Sequence, residues 1–294
     1  MIRLPPPLAP GARIGVFAPS GIFDPARLAV GFELLREWGY EPVAAPNIYE
    51  KYMFMAGADA LRQSDMLWAL TDPSLDAAWM ARGGYGLGRI LAGFPWEKVP
   101  SRPVVGFSDG TLLMLALRQR AGLAGVHGPV LQSLPDWADE DSRKHLRRLL
   151  AGERRAGMRG RVLVAGEAEG PLVGGNLCCL ASVAGTPFAL DTRGCVLVLE
   201  DVGEAPYKVD RLLVQLRDSG ALDGVAGVAV GRLTDTRVPE GADWTMDQVW
   251  LDLLGPLGVP VLVDLPIGHD PQNIAFLHGY TARIEGDSLA WGRR

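Results

Sequence analysis

Long apolar runs are missing from this 294-residue chain. None reaches the ~18–20 residues that a membrane helix needs, so no membrane partner is expected. The opening stretch, MIRLPPPLAPGARIGVFAPSG, is interrupted by prolines and lacks the continuous apolar centre of a signal peptide. The cytoplasm is therefore the expected compartment. Cysteine is scarce: Cys178, Cys179 and Cys195. Three thiols, two of them adjacent, make no disulfide framework and have no C-x-x-C spacing, so they read as small core residues. Histidine is scarce too. His127, His145, His269 and His278 show neither H-E-x-x-H nor any paired spacing, and no metal is expected. Excess charge is also lacking. A net charge of −5 gives no electrostatic case for nucleic acid. The basic residues Arg143, Lys144, Arg147 and Arg148 alternate with acidic ones, the pattern of a solvated helix face.

What is present is an alternation of strand and helix signals. Residues 13–19 (RIGVFAP), 41–46 (EPVAAP), 76–81 (DAAWMA) and 103–107 (PVVGF) read as strands. Between and after them come helices at 24–39, 58–72 and 111–120. The first has Asp24 as N-cap, Pro25 at the first helical position and Gly39 as its stop. The second carries apolar residues at 66, 67 and 70, one helical face. The pattern predicts an α/β fold whose parallel sheet carries helices on both faces. Residues 150–170 are rich in Gly and Arg and show no helical stripe. They predict a domain 1–155, a linker 156–170 and a second domain 171–294. In the second domain 194–201, 224–231 and 259–268 read as strands, 205–220 as a helix, and 281–292 as a hairpin turning at Gly286-Asp287.

Gly106-Phe107-Ser108-Asp109-Gly110 fits G-x-S-x-G between a strand and a helix. Such a turn lifts the serine hydroxyl from the sheet and aims backbone N–H groups at the same point. The pattern also suits Ser108 or Asp109 as a plain N-cap. A nucleophilic serine needs a base. His269 follows an apolar strand in a Gly-, Pro- and Asp-rich turn, where open α/β sheets place their chemistry. His127, after a strand end, is the second candidate. Glu200, Asp201, Glu204 and Asp210 could orient the base; Glu200 ends an apolar strand, where a carboxylate needs a partner. ARGGYGLGRI (81–90) is neither G-x-G-x-x-G nor a P-loop, so no nucleotide cofactor is expected. It suits an oxyanion hole. Arg82 and Arg89 could each hold a substrate carboxylate or form a structural salt bridge. Asn176 of GGN could touch substrate or start a helix.

The chain resembles the LD-carboxypeptidase family of serine peptidases, which trim murein tetrapeptides. The resemblance runs through GVFAPSG (15–21), 57–91 with ARGGYG, VVGFSDGTLL (104–113) and VHGPV (126–130). It continues through GPLVGGNLCCLASVAGTPF (170–188), LEDVGEAPYKVDRLLVQL (199–216) and LPIGHD (265–270). It implies a flavodoxin-like N-terminal domain bearing the serine and a mixed α/β C-terminal domain supplying Glu and His, with the active site in the cleft between. It implies Ser108 as nucleophile, Glu200 rather than Glu204 as triad acid, and His269 as base. The oxyanion donors would be the N–H groups of Asp109 and of Gly83 or Gly84. Arg82, Asn176 and His127 are the substrate-binding candidates. A muropeptide substrate, a homodimer and no cofactor are implied. The microcin C self-immunity peptidases, which cut an aminoacyl-nucleotide amide, share the scaffold, but GEAPYKVDR after Glu200 resembles the murein branch. A non-catalytic muropeptide binder is the reading from another class; it predicts binding without labelling of Ser108.

Overall fold

The computed structural model describes residues 2–292. The chain divides into two compact units, Met1–Glu153 with Ala275–His278, and Arg154–Ile274 with Gly279–Arg294. In the first unit the strands β1 (Arg13–Phe17), β2 (Glu41–Ala44), β3 (Ala77–Met80), β4 (Val104–Gly106) and β5 (Gly125–His127) are all parallel. Their order is β2-β1-β3-β4-β5, the flavodoxin-like winding. β3, β4 and β5 are buried throughout, as strands covered on both faces must be.

Helix α1 (Pro25–Glu37) starts as its sequence predicts: Asp24 accepts from the Ala26 N–H and Pro25 opens the helix. Gly39 turns the chain at φ +88°. Helix α2 (Asp59–Thr71) is rotated from the expected face. Met66 and Leu70 are buried, but Leu67 is exposed, while Arg62 and Asp65 point inward. The inward positions are spaced three and four apart; of the two charged ones, Arg62 serves the site described below. α3 (Thr111–Ala116) runs into a π turn and ends at Gly122. α4 (Glu140–Leu150) is capped by Asp139 and exposes its charged face, as the alternation predicts.

The second unit contains β6 (Ala156–Arg159), β7 (Arg161–Val164), β8 (Glu167–Asn176), α5 (Leu177–Ser182), β9 (Val196–Val202) and α6 (Pro206–Asp218). β10 (Gly227–Thr234), α7 (Met246–Leu254) and β11 (Val261–Val263) follow. The strand β12 (Phe276–His278) belongs to the first unit, and β13 (Thr281–Glu285) and β14 (Ser288–Trp291) close the second. The second sheet is mixed, in the order β6-β14-β13-β8-β9-β10-β11-β7. Its centre, β8 to β11, is parallel, and the flanking pairs are antiparallel.

Three expectations are corrected. Residues 156–170 are not a linker: they form β6, β7 and the start of β8. β6 and β7 are the two edges of the sheet and are half-exposed; β6 carries Gly and Arg, and β7 has only a three-residue apolar run, too short to read as a strand. The break falls after Glu153, and 275–278 returns to the first unit, where β12 pairs antiparallel with β5. Only Cys195 of the three thiols is buried; Cys178 is exposed. Among the described residues no helix is long and apolar enough to cross a membrane.

Candidate active site

In the first unit β4 ends at Gly106 and the next turn carries Ser108. Ser108 has φ +62°, a left-handed conformation that costs an L-residue of this kind about 1–3 kcal/mol. The glycines of the motif are needed for packing. A Cβ on Gly106 or Gly110 would meet Met80 Sδ at 2.7 or 2.8 Å. Neither Ser108 nor Asp109 caps α3 with its side chain, so the N-cap reading of this turn does not hold. The loop after β3 lies against the serine: a Cβ on Gly83 would sit 2.7 Å from Ser108 Cβ and 3.0 Å from Oγ. Gly84, at φ +102°, approaches Gly21 instead. Of the two glycines, Gly83 is the one on which a side chain would fall against Ser108.

The Asp109 carboxylate points away from solvent. It accepts from Ser20 Oγ at 2.6 Å and from the Leu87 N–H at 2.9 Å. One buried group thus ties the loop after β1 and the loop after β3 to the serine turn. Burial pushes its pKa up; the bonds from Ser20 and Leu87 and the charge of Arg62 pull it down. Arg62, inward on α2, donates to the carbonyls of Pro19, Gly57 and Gly86 and holds the same loops.

In the second unit Glu200 lies in the buried run of β9 and is fully enclosed. It accepts from His269 Nδ1 at 2.8 Å. Burial raises its pKa, and the imidazole beside it opposes the rise. A carboxylate on Nδ1 fixes the tautomer with the proton there, so Nε2 is the basic nitrogen. The loop after β11 delivers His269. Gly268, at φ +139°, lets the backbone run close to β10, since a Cβ would lie 3.0 Å from the Arg232 carbonyl oxygen. Asp201, next along β9, faces elsewhere and accepts from Asn176 Nδ2, Cys178 N–H and Val202 N–H. Glu204 pairs with Lys208 at 3.4 Å.

A base–carboxylate pair of this geometry, and a serine forced left-handed beside a glycine backbone, are the parts of a serine hydrolase. Family models agree. The LD-carboxypeptidase N-terminal domain matches residues 14–128, and the LD-carboxypeptidase C-terminal domain matches 169–284. A putative carboxypeptidase of Synechocystis sp. is 40% identical over 97% of this chain and 95% of its own length. The chain belongs to the LD-carboxypeptidase family. As a member it is a serine-type carboxypeptidase. The murein tetrapeptide carboxypeptidase of Pseudomonas aeruginosa is 33% identical, covering 95% of both chains. The solved muramoyltetrapeptide carboxypeptidase from Oxalobacter formigenes has a TM-score of 0.87 at 27% identity, covering 96% of this chain and 99% of that one. A microcin C7 self-immunity protein of Escherichia coli is 22% identical over 96% of this chain and 93% of its own length.

The remaining candidates of this LD-carboxypeptidase separate clearly. His127 lines no cleft. It is fully buried in the first unit, edge-on to Phe107 at 5.3 Å and stacked on Phe276 at 4.6 Å, because β5 lies between β4 and β12. Asn176 is a helix start: its Oδ1 caps α5 through the Cys179 N–H and its amide holds Asp201. Arg89 forms the structural salt bridge, with both Asp59 oxygens. Arg82 is exposed and donates to the Ile22 carbonyl. His145 donates to the Ala275 carbonyl and is half-buried; His278 is buried, and burial pushes its pKa well down. Ser20, Arg62 and the Asp109 carboxyl were not legible as site residues. The P-S-G after the first strand was the available signal for Ser20; Arg62 and Asp109 looked like ordinary helix and turn residues.

Proposed function

We propose that this enzyme hydrolyses the L,D-peptide bond that joins a diamino acid (lysine or diaminopimelate) to the terminal D-alanine of a murein tetrapeptide, within cell-wall recycling. The observation that carries the reading is the Glu200–His269 pair at 2.8 Å, together with a left-handed Ser108 lying against Gly83. Ser108 Oγ attacks the carbonyl of the diamino residue. His269 Nε2 takes the serine proton, and Glu200 stabilises the imidazolium. The N–H groups of Asp109 and Gly83 hold the tetrahedral oxyanion. The intermediate collapses, the C–N bond breaks, and His269 returns the proton to the departing D-alanine amine. Water, deprotonated by His269, then hydrolyses the acyl-enzyme and frees Ser108.

The test is incubation with a disaccharide tetrapeptide followed by mass analysis. Loss of one alanine is expected. Ser108→Ala should fold and lose activity, and Glu200→Gln should fall by about 10⁴-fold, the loss typical of a triad with its histidine mis-oriented. An active Ser108→Ala protein would overturn the nucleophile. Preference for an aminoacyl-nucleotide amide over the tetrapeptide would overturn the substrate.

A further inference from the structure

A carboxypeptidase must recognise a free terminal carboxylate, which in this reaction sits one residue beyond the carbonyl that Ser108 attacks. That is about 3.8 Å of chain, from one Cα to the next. A cation close to the nucleophile is the chemistry required. Three arginines surround the serine turn and its loops in the first unit. Arg62 is buried, hydrogen-bonded to three carbonyls and paired with Asp59. Arg89 holds the same Asp59 with Nε and Nη2. Arg82 differs from both. Among the described residues no carboxylate lies within ion-pair distance of it, and its hydrogen bond goes to the neutral Ile22 carbonyl.

We propose that Arg82 binds the terminal carboxylate of the substrate and so makes the enzyme an exopeptidase. This rests on the peptidase reading given above. Arg82 directly precedes Gly83, on which a side chain would fall against Ser108, so its backbone is as near the nucleophile as the oxyanion donor's neighbour can be. The bond to Ile22 fixes one corner of the guanidinium and leaves its charge uncompensated. The other N–H groups remain for a planar carboxylate, which a guanidinium matches in bidentate geometry. The loop's other exposed cation, Arg89, has its Nε and Nη2 engaged by Asp59, the carboxylate that it shares with Arg62. Among the described residues Arg82 is the cation of that loop with no acid partner.

The experiment compares wild type, Arg82→Gln and Arg82→Lys on two substrates, the tetrapeptide acid and its C-terminal amide. The wild type is expected to favour the acid. Arg82→Gln should lose about 10–100-fold in kcat/KM on the acid, the range of one charge-assisted interaction, with the loss mainly in KM. Its rate on the amide should change little, so the preference collapses. Arg82→Lys should recover part of the preference. An unchanged acid-over-amide ratio in Arg82→Gln, or equal losses on both substrates, would overturn the assignment while leaving the peptidase reading intact. A wild type that cleaves neither peptide would overturn that reading, and this inference with it.

Discussion

Gly83 has no side chain because Ser108 occupies the place where one would go. Its φ is not left-handed, so alanine fits the backbone and the conflict is purely one of space. Gly83→Ala is therefore a sharp probe of the proposed oxyanion site. It should keep its fold at a cost of about 1–3 kcal/mol, as overpacking usually does. Alanine keeps the N–H, but its methyl pushes Ser108 out of place, so kcat should fall, by up to about 10²–10³-fold where the displacement costs as much as a lost oxyanion donor. Thermal melting and steady-state kinetics on one preparation check both parts. Glu200 makes the complementary point. A fully buried carboxylate is costly unless paired, and His269 is the pair. That cost made Glu200 one candidate among four acidic residues in its stretch of sequence, and the family resemblance singled it out.

The turn after β4 is held left-handed by what it is tied to. Asp109 links it to Ser20 and to Leu87, so three loops at the carboxyl ends of parallel strands are tied to one another. Burial raises the Asp109 pKa above its ordinary carboxylate value. A raised carboxyl contributes stability that is fully present below the unfolded value of about 3.9 and is lost as pH rises through the folded value. An asparagine in its place would keep an oxygen for both donors and carry no charge to desolvate. Asp109→Asn should thus gain on wild type as pH rises from 4 to 7, by about 1.4 kcal/mol for each unit of upward shift, and the gap should close toward pH 4. Urea titrations at the two pH values measure it. A gap that widens toward pH 4 would mean that the hydrogen bonds outweigh burial.

The first unit is completed by a strand from far along the chain. β12 brings Phe276 onto His127, and His127 packs on Phe107, the residue before Ser108. The Ser108 turn therefore rests on a stack whose last member is about 170 residues away in sequence. Phe276→Ala removes a fully buried ring. It should cost about 3–5 kcal/mol in urea denaturation and lower activity as the support under Phe107 loosens.

Local pattern was enough for much of this molecule. The strand–helix alternation of the first 120 residues, the Asp24–Pro25 helix start, the G-x-S-x-G turn and the candidacy of Glu200 and His269 all follow from spacing and from the cost of burying charge. Such features depend on neighbours in sequence, or on one residue in an improbable place. Features that depend on distant partners stayed hidden. The edge strands β6 and β7 looked like a linker, because an edge needs only one buried face, tolerates the Gly and Arg of β6, and is only four residues long in each. β12 is three residues long, too short for a periodic signal, and its membership of the first unit exists only through pairing with β5. Whether His127 faced a cleft or the core, which glycine lay against Ser108 and which arginine lacked an acid were likewise open, since each turns on atoms that only long-range packing brings within a few ångströms.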